Sequence, residues 1–184
     1  MVKNKFFKRY KRGLFAILLI LGIIALVIGV DILTKVLTDG KSILVLPSFF
    51  NFISVHNTGG AWSILNEHTW ILITLTFVFL IAFCIFNYFF KQRTTLYLVG
   101  FSLVFGGAVG NLIDRLFLGY VRDFIALDFI NFPVFNIADM CLCAGVLVLL
   151  VFFLFLYPKY NKKYLKSKQK FALAKKLKKV SYGL

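Results

Sequence analysis

Four apolar runs divide the chain, at roughly 13–35, 69–90, 94–115 and 137–157. Each reaches the length of about 20 residues that a helix needs to cross the hydrocarbon core of a bilayer. Between the first two runs the pattern changes. Ser42–Pro47 and Phe49–His56 are rich in β-branched and aromatic residues and are broken by Pro47, which predicts two or three short strands. Asn57-Thr58-Gly59-Gly60 predicts a turn. Tyr120–Ile130, in the connection 116–136, is a further strand-like stretch. The pattern therefore predicts an all-α membrane protein, a four-transmembrane-helix bundle, with a small β-sheet lying on one leaflet. Lying there would shelter Phe49, Phe50 and Phe52. The first run is expected to be a retained span. Its apolar core is too long for a cleaved signal peptide, and no small-residue cleavage site precedes Asp31.

Charge orients these spans. The first twelve residues carry six cations, the short link between spans two and three carries Lys91 and Arg93, and residues 158–184 carry ten Lys and no acid. The other two connections hold only Lys41 and Arg122 beyond the helix ends. Both termini are then expected in the cytoplasm, with residues 36–68 and 116–136 outside and the sheet extracytoplasmic. Most of the net charge of +15 is accounted for by attraction to the cytoplasmic leaflet. The Lys-rich tail carries no nucleic-acid-binding motif, so no nucleic-acid partner is expected. Leu173, Leu177 and Val180 recur at helical spacing, which suits a basic amphipathic helix on the membrane surface.

Composition agrees and narrows the chemistry. The chain is 60% hydrophobic and holds 23 Phe. Its three Cys, at 84, 141 and 143, lie in apolar runs and read as small buried hydrophobes. The CxC of Cys141 and Cys143 cannot face one side of a helix, and the two His fit no zinc or serine-hydrolase pattern. No metal and no cofactor are expected.

The seven acids are the informative exceptions. Asp31 closes the first run, Asp114 closes the third, and Asp139 opens the fourth. An ionisable group in or against a span is costly and usually marks function, although a single interfacial Asp also serves as a helix cap. Here the acids come in company. Asp31 and Lys35 share a helix face at i and i+4, which suits a scaffold that orients a site. In Gly106-Gly107-Ala108-Val109-Gly110-Asn111-Leu112-Ile113-Asp114-Arg115, Gly106 and Gly110 form a small face for close helix approach. Asn111 lies one turn from Asp114 and Arg115. Val121-Arg122-Asp123-Phe124 and Phe135-Asn136-Ile137-Ala138-Asp139 complete the set, with Asn136 and Asp139 at i and i+3. The predicted topology collects all of them at the outer leaflet. Two carboxyls brought together share one proton, so one can act as base toward water while the other donates to a carbonyl oxygen. Spacing alone leaves open which two of Asp114, Asp123 and Asp139 pair in this way.

With these blocks in hand, the chain resembles the lipoprotein signal peptidases, or signal peptidase II, aspartic proteases of bacterial inner membranes. The resemblance rests on DILTK at 31–35, NTGGAW at 57–62, GGAVGNLIDR at 106–115, VRDF at 121–124 and FNIAD at 135–139, in that order over about 14–157. It implies that Asp123 and Asp139 are the catalytic dyad. It implies supporting or substrate-binding roles for Asp31, Lys35, Asn57, Gly59, Asn111, Asp114, Arg115, Asn136 and Ala138. It also implies removal of the signal peptide from a prolipoprotein just before a Cys that carries diacylglycerol, and susceptibility to globomycin-type cyclic peptides. Residues 1–157 would form one membrane-embedded peptidase domain and 158–184 a basic cytoplasmic tail. Trp62 stands where the family often has Phe, and the tail is longer than the family needs. The competing class is a small proton-coupled transporter or channel subunit, which predicts inverted repeats and polar residues at mid-membrane. The chain shows no repeat, and its acids cluster at one interface. Intramembrane aspartyl proteases of the GxGD type are excluded by the absence of that motif.

Overall fold

The computed structural model describes residues 2–60, 62, 64–90, 94–162, 164–167, 169 and 173, with side chains from Gly13 onward. Lys91, Arg93 and the tail positions Leu177 and Val180 lie outside the described residues. Among the described residues, four helices and three strands follow one another in the order α1 (Val2–Thr38), β1 (Ser42–Leu46), β2 (Phe50–Asn57), α2 (Thr69–Phe89), α3 (Thr95–Leu118), β3 (Val121–Leu127) and α4 (Ile137–Val151). Helix α4 passes through one π-helical turn, Phe152–Leu156, and stays helical to residue 162, beyond the Tyr157 at which the apolar run ends. All four helices are long and apolar enough to cross a membrane.

Helix α3 is the centre of the bundle. In its most apolar window 67% of residues are buried, against 6%, 6% and 11% in α1, α2 and α4. Glycine makes this possible, because a residue without Cβ lets another backbone approach closely. A Cβ on Gly106 would meet Val27 of α1 at 3.1 Å, and one on Gly110 would meet Asp31 at 2.9 Å. A Cβ on Gly107 would press on the Ala138 carbonyl of α4. Gly145 of α4 answers from the other side, lying against Val104 and the Gly100 carbonyl. The exposed faces of α1, α2 and α4 are lined with large apolar side chains such as Leu26, Phe77 and Leu147, which suits lipid contact.

The end of the bundle away from the sheet is held by aromatic rings. Tyr97, Phe101 and Phe152 are buried there, with Phe83, Phe90, Phe153 and Tyr157 packed around them. The π turn widens the helix by one residue and lets consecutive Phe152 and Phe153 both pack into this cluster.

The three strands form one antiparallel sheet in the order β1-β2-β3. Register shifts occur between Leu44 and Leu46 and between Phe52 and Val55. Such bulges bend a strand and re-aim its side chains. After the second shift Val55 pairs with Asp123, His56 with Arg122 and Asn57 with Val121, which brings Asn57 over the start of β3. A bridge from Ile125 to Phe135 folds the β3–α4 connection back along the sheet and delivers Asn136 to the same place.

Candidate active site

The site begins with a charge cluster inside the bundle. Lys35 is fully buried, and its ammonium lies 2.7 Å from Asp31 Oδ2 and 3.5 Å from Asp114 Oδ2. Arg122 closes the other side of Asp114. Its backbone N–H and Nε both donate to Asp114 Oδ2, at 3.0 and 3.3 Å, and its Nη2 donates to Oδ1 at 2.7 Å. Two cations thus face two acids, which is what lets four charges leave water together. The i,i+4 pair of Asp31 and Lys35 is therefore no surface salt bridge. Asp31 Oδ1 also accepts the backbone N–H of Ala138 at 2.8 Å, tying α1 to the first turn of α4.

Above this cluster stand Asp123 on β3 and Asp139 in the first turn of α4. Three asparagines serve them. Asn57 Nδ2 donates to Asp123 Oδ2 at 2.9 Å, and Asn136 Nδ2 donates to Asp123 Oδ1 at 2.6 Å. Asn111 Nδ2 donates to Asp139 Oδ1 at 2.7 Å, and the backbone N–H of Asn136 donates to Asp139 Oδ2 at 3.2 Å. Each of the four carboxyl oxygens therefore has one N–H donor. Asn136 is the N-cap of α4, and Asp139 is its N3 partner in a capping box. The sequence offered Asp139 itself as a possible cap. The box instead leaves Asp139 Oδ1 turned toward Asn111.

Burial sets the electrostatics of Asp123, outside the spans. Loss of hydration pushes its carboxyl from the ordinary 3.8 up to about 6. The charge of Asp139 adds to that rise, while the bonds from Asn57 and Asn136 oppose it. Asp123 and Asp139 open on a cleft of about 1010 Å³, walled by Trp62, Phe132, Met140, Leu142 and Cys143. An apolar wall facing convergent polar groups is the usual composition of a binding site. Arg115 lines the cleft and donates from Nη2 to the Gly59 carbonyl at 3.0 Å, and the Gly59 N–H donates to Asn57 Oδ1 at 2.9 Å. The NTGG turn is thereby tied to both the asparagine that holds Asp123 and the arginine of α3.

Of the eleven residues singled out in the sequence, every one lies in this network or one contact from it. Asp114 is not beside the cleft acids. It is buried with Lys35 and Arg122, whereas Asp123 and Asp139 both line the cleft. Arg122 was legible only as a loop cation. Nothing local in VRDF signals that its guanidinium returns to Asp114 eight residues back. The reading of the three cysteines needs correction. Cys84 and Cys143 are exposed and Cys141 is half-buried, because in a bundle facing lipid an apolar run has no obligation to point inward.

The family profile described as signal peptidase II matches residues 23–155. A lipoprotein signal peptidase of Enterococcus faecalis is 38% identical over 136 residues, covering 70% of this chain and 83% of that protein. One of Lactiplantibacillus plantarum is 41% identical over 112 residues, 61% of this chain and 74% of that protein. A solved bacterial membrane enzyme superposes with a TM-score of 0.69 at 36% identity, over 73% of this chain and 87% of that one. With most of its length matched by that profile and the same fold in a solved membrane enzyme, the chain belongs to the signal peptidase II family.

Proposed function

We propose that the chain is an aspartic endopeptidase in which Asp123 and Asp139 form the catalytic dyad. Removal of signal peptides from prolipoproteins follows from membership of the family. The finer reading is that the substrate carries diacylglycerol on a Cys and is cut just before it. One observation carries the assignment: Asp123 and Asp139 are the two carboxyls of the cleft, and each of their four oxygens receives a single N–H. Three uncharged amides hold the two acids in place without neutralising either, which leaves the pair free to exchange a proton.

The chemistry then runs without a covalent intermediate. The ionised carboxyl takes a proton from water as the water oxygen attacks the scissile carbonyl. The protonated carboxyl gives its proton to the carbonyl oxygen. Collapse returns a proton to the leaving nitrogen and restores the pair. Asp123, with its carboxyl pushed up to about 6, is the member suited to hold the shared proton. Arg115 and the Gly59 segment border the cleft and suit binding of an extended substrate backbone.

The signal helix enters sideways from the bilayer, with its lipid remaining among lipids. Residues 1–157 act as one peptidase domain, and the basic tail of 158–184 lies in the cytoplasm. Both termini are cytoplasmic and the dyad sits at the outer leaflet, a reading supported by the distribution of Lys and Arg among the loops. Globomycin-type cyclic peptides bind in the same cleft.

The test is turnover of a diacylglyceryl-modified prolipoprotein peptide by purified single variants. Asp123→Asn and Asp139→Asn each lose nearly all cleavage, and the double variant is little worse than either, because groups acting as a unit are not additive. Asp128 is exposed and bonded to Asn51 on the sheet, and Asp128→Asn keeps its activity. Robust turnover by either dyad variant would sink the assignment.

A further inference from the structure

An asparagine amide has one end that accepts and one that donates, and a half turn exchanges them. Which end Asn111 shows to Asp139 therefore decides what that carboxyl meets. The other two amides of the site are set by backbone. Asn136 Oδ1 accepts the N–H of Asp139 at 2.9 Å, and Asn57 Oδ1 accepts the N–H of Gly59 at 2.9 Å. Asn111 is set by side chains instead. Its Oδ1 receives Lys35 Nζ at 3.0 Å and Asn136 Nδ2 at 3.1 Å, which leaves Nδ2 for Asp139. The bond from Asn136 is the longer of that amide's two, the other reaching Asp123 at 2.6 Å. A lysine ammonium carries three donors and no acceptor, so it can meet only the oxygen of an amide. Its charge makes the bond roughly twice as strong as a neutral one.

Resting on the dyad reading above, we infer that Lys35 is a positioning residue that fixes the polarity of the Asn111 amide, so that Asp139 always meets an N–H. The ammonium never reaches the cleft. It is anchored by Asp31 at 2.7 Å, is fully buried, and acts through the amide. Without it the amide can turn and set its oxygen against Asp139. An N–H beside a carboxyl favours its ionised form, and a carbonyl oxygen favours the protonated form. The acid-side limb of the rate profile is where this appears. The charged and titratable groups around this pair are Arg115 from α3, Asp123 from β3, His56 from β2, which is paired with Asp39, and Cys143 from α4, all lining the cleft, with Lys35 and Asp31 of α1 behind Asn111 and Asp114 behind Lys35, compensated by Arg122.

The test compares Lys35→Met with Lys35→Gln in the full-length enzyme, reading cleavage of a lipidated peptide against pH. Both remove the charge beside Asp31 and Asp114, so damage from that loss is common to the two. Only Gln keeps an N–H for Asn111. The expected result is an acid limb that lies about one pH unit higher in Lys35→Met than in Lys35→Gln, the displacement caused by the lost charge being common to both, whatever the fall in maximal rate. Limbs that stay put in both variants, or move equally in both, overturn the inference. Should Lys35→Met not fold, Asn111→Leu decides. It removes the N–H that meets Asp139 without adding a charge, and an acid limb unmoved from wild type there overturns the inference as well. Failure of the dyad reading looks different: Asp139→Asn would then retain turnover.

Discussion

Asp31 accepts the backbone N–H of Ala138 at 2.8 Å, joining residues 107 positions apart. The acid near the end of α1 thereby supplies a partner for one of the otherwise unsatisfied N–H groups at the start of α4. It does so while holding Lys35, so a single carboxylate links the bundle, the charge cluster and the turn that carries Asp139.

Asp31→Ala should therefore be among the most destabilising single changes outside the dyad. It orphans the Ala138 N–H and leaves Lys35, among the described residues, with Asp114 at 3.5 Å as its one acidic partner. Breaking one side of a buried charge pair costs about 3–5 kcal/mol. Asp31→Asn keeps a carbonyl oxygen for Ala138 and should cost less. Thermal unfolding in detergent ranks the two, and equal midpoints for wild type and Asp31→Ala would contradict the role given to it.

Asp123 should leave a signature in stability as well as in rate. Its folded carboxyl, raised from 3.8 to about 6, binds a proton more readily than it does unfolded. Its contribution is therefore fully present below about pH 4 and is lost as pH rises through 6. At about 1.4 kcal/mol per pH unit this amounts to roughly 3 kcal/mol. Asp123→Asn does not titrate, so its stability relative to wild type should rise between pH 4 and 6 and then level off. A difference that stays flat across that range would mean that Asp123 is not shifted.

Gly107 tests the packing that brings α4 to the site. A Cβ there would press on the Ala138 carbonyl and meet Leu142 at 2.9 Å, and a backbone atom cannot swing aside as a side chain can. Gly107→Ala should move the first turn of α4 and cut cleavage by more than tenfold, since small misplacements of reacting groups are costly. Gly22→Ala on α1, with nothing within 4 Å of the new Cβ, should be neutral. Turnover of both in one assay makes the comparison.

The orientation can be read by labelling. In a background with Cys84, Cys141 and Cys143 replaced by Ala, Glu67→Cys, which lies between β2 and α2, should react with an impermeant thiol reagent in intact cells. Labelling only after lysis would reverse the proposed topology.

Much of the molecule is legible in the chain order alone. The four spans follow from run length, because crossing a bilayer demands a fixed number of apolar residues whatever lies around them. Helix α3 shows its packing in Gly106 and Gly110, since close approach of backbones leaves small residues as its trace. The strands of 42–57 and 121–127 show in β-branched and aromatic residues around Pro47 and the NTGG turn. The site blocks are visible for the same reason that the acids are: ionisable groups near lipid are too costly to be incidental.

Local pattern carries no record of which polar groups meet across the bundle. Asp114, Asp123 and Asp139 look alike in sequence. Spacing does not separate them, and the fold does, by closing Arg122 and Lys35 around Asp114 and turning the other two toward the cleft. The bulge between Phe52 and Val55 decides that Asn57 reaches Asp123, and a one-residue change of register would send that side chain to the opposite face. The polarity of Asn111 depends on Lys35, 76 positions earlier in the chain. Spacing reports which residues share an element. The protonation chemistry of the cleft depends on contacts between elements, and those exist only once α1, α3, β3 and the start of α4 are packed together.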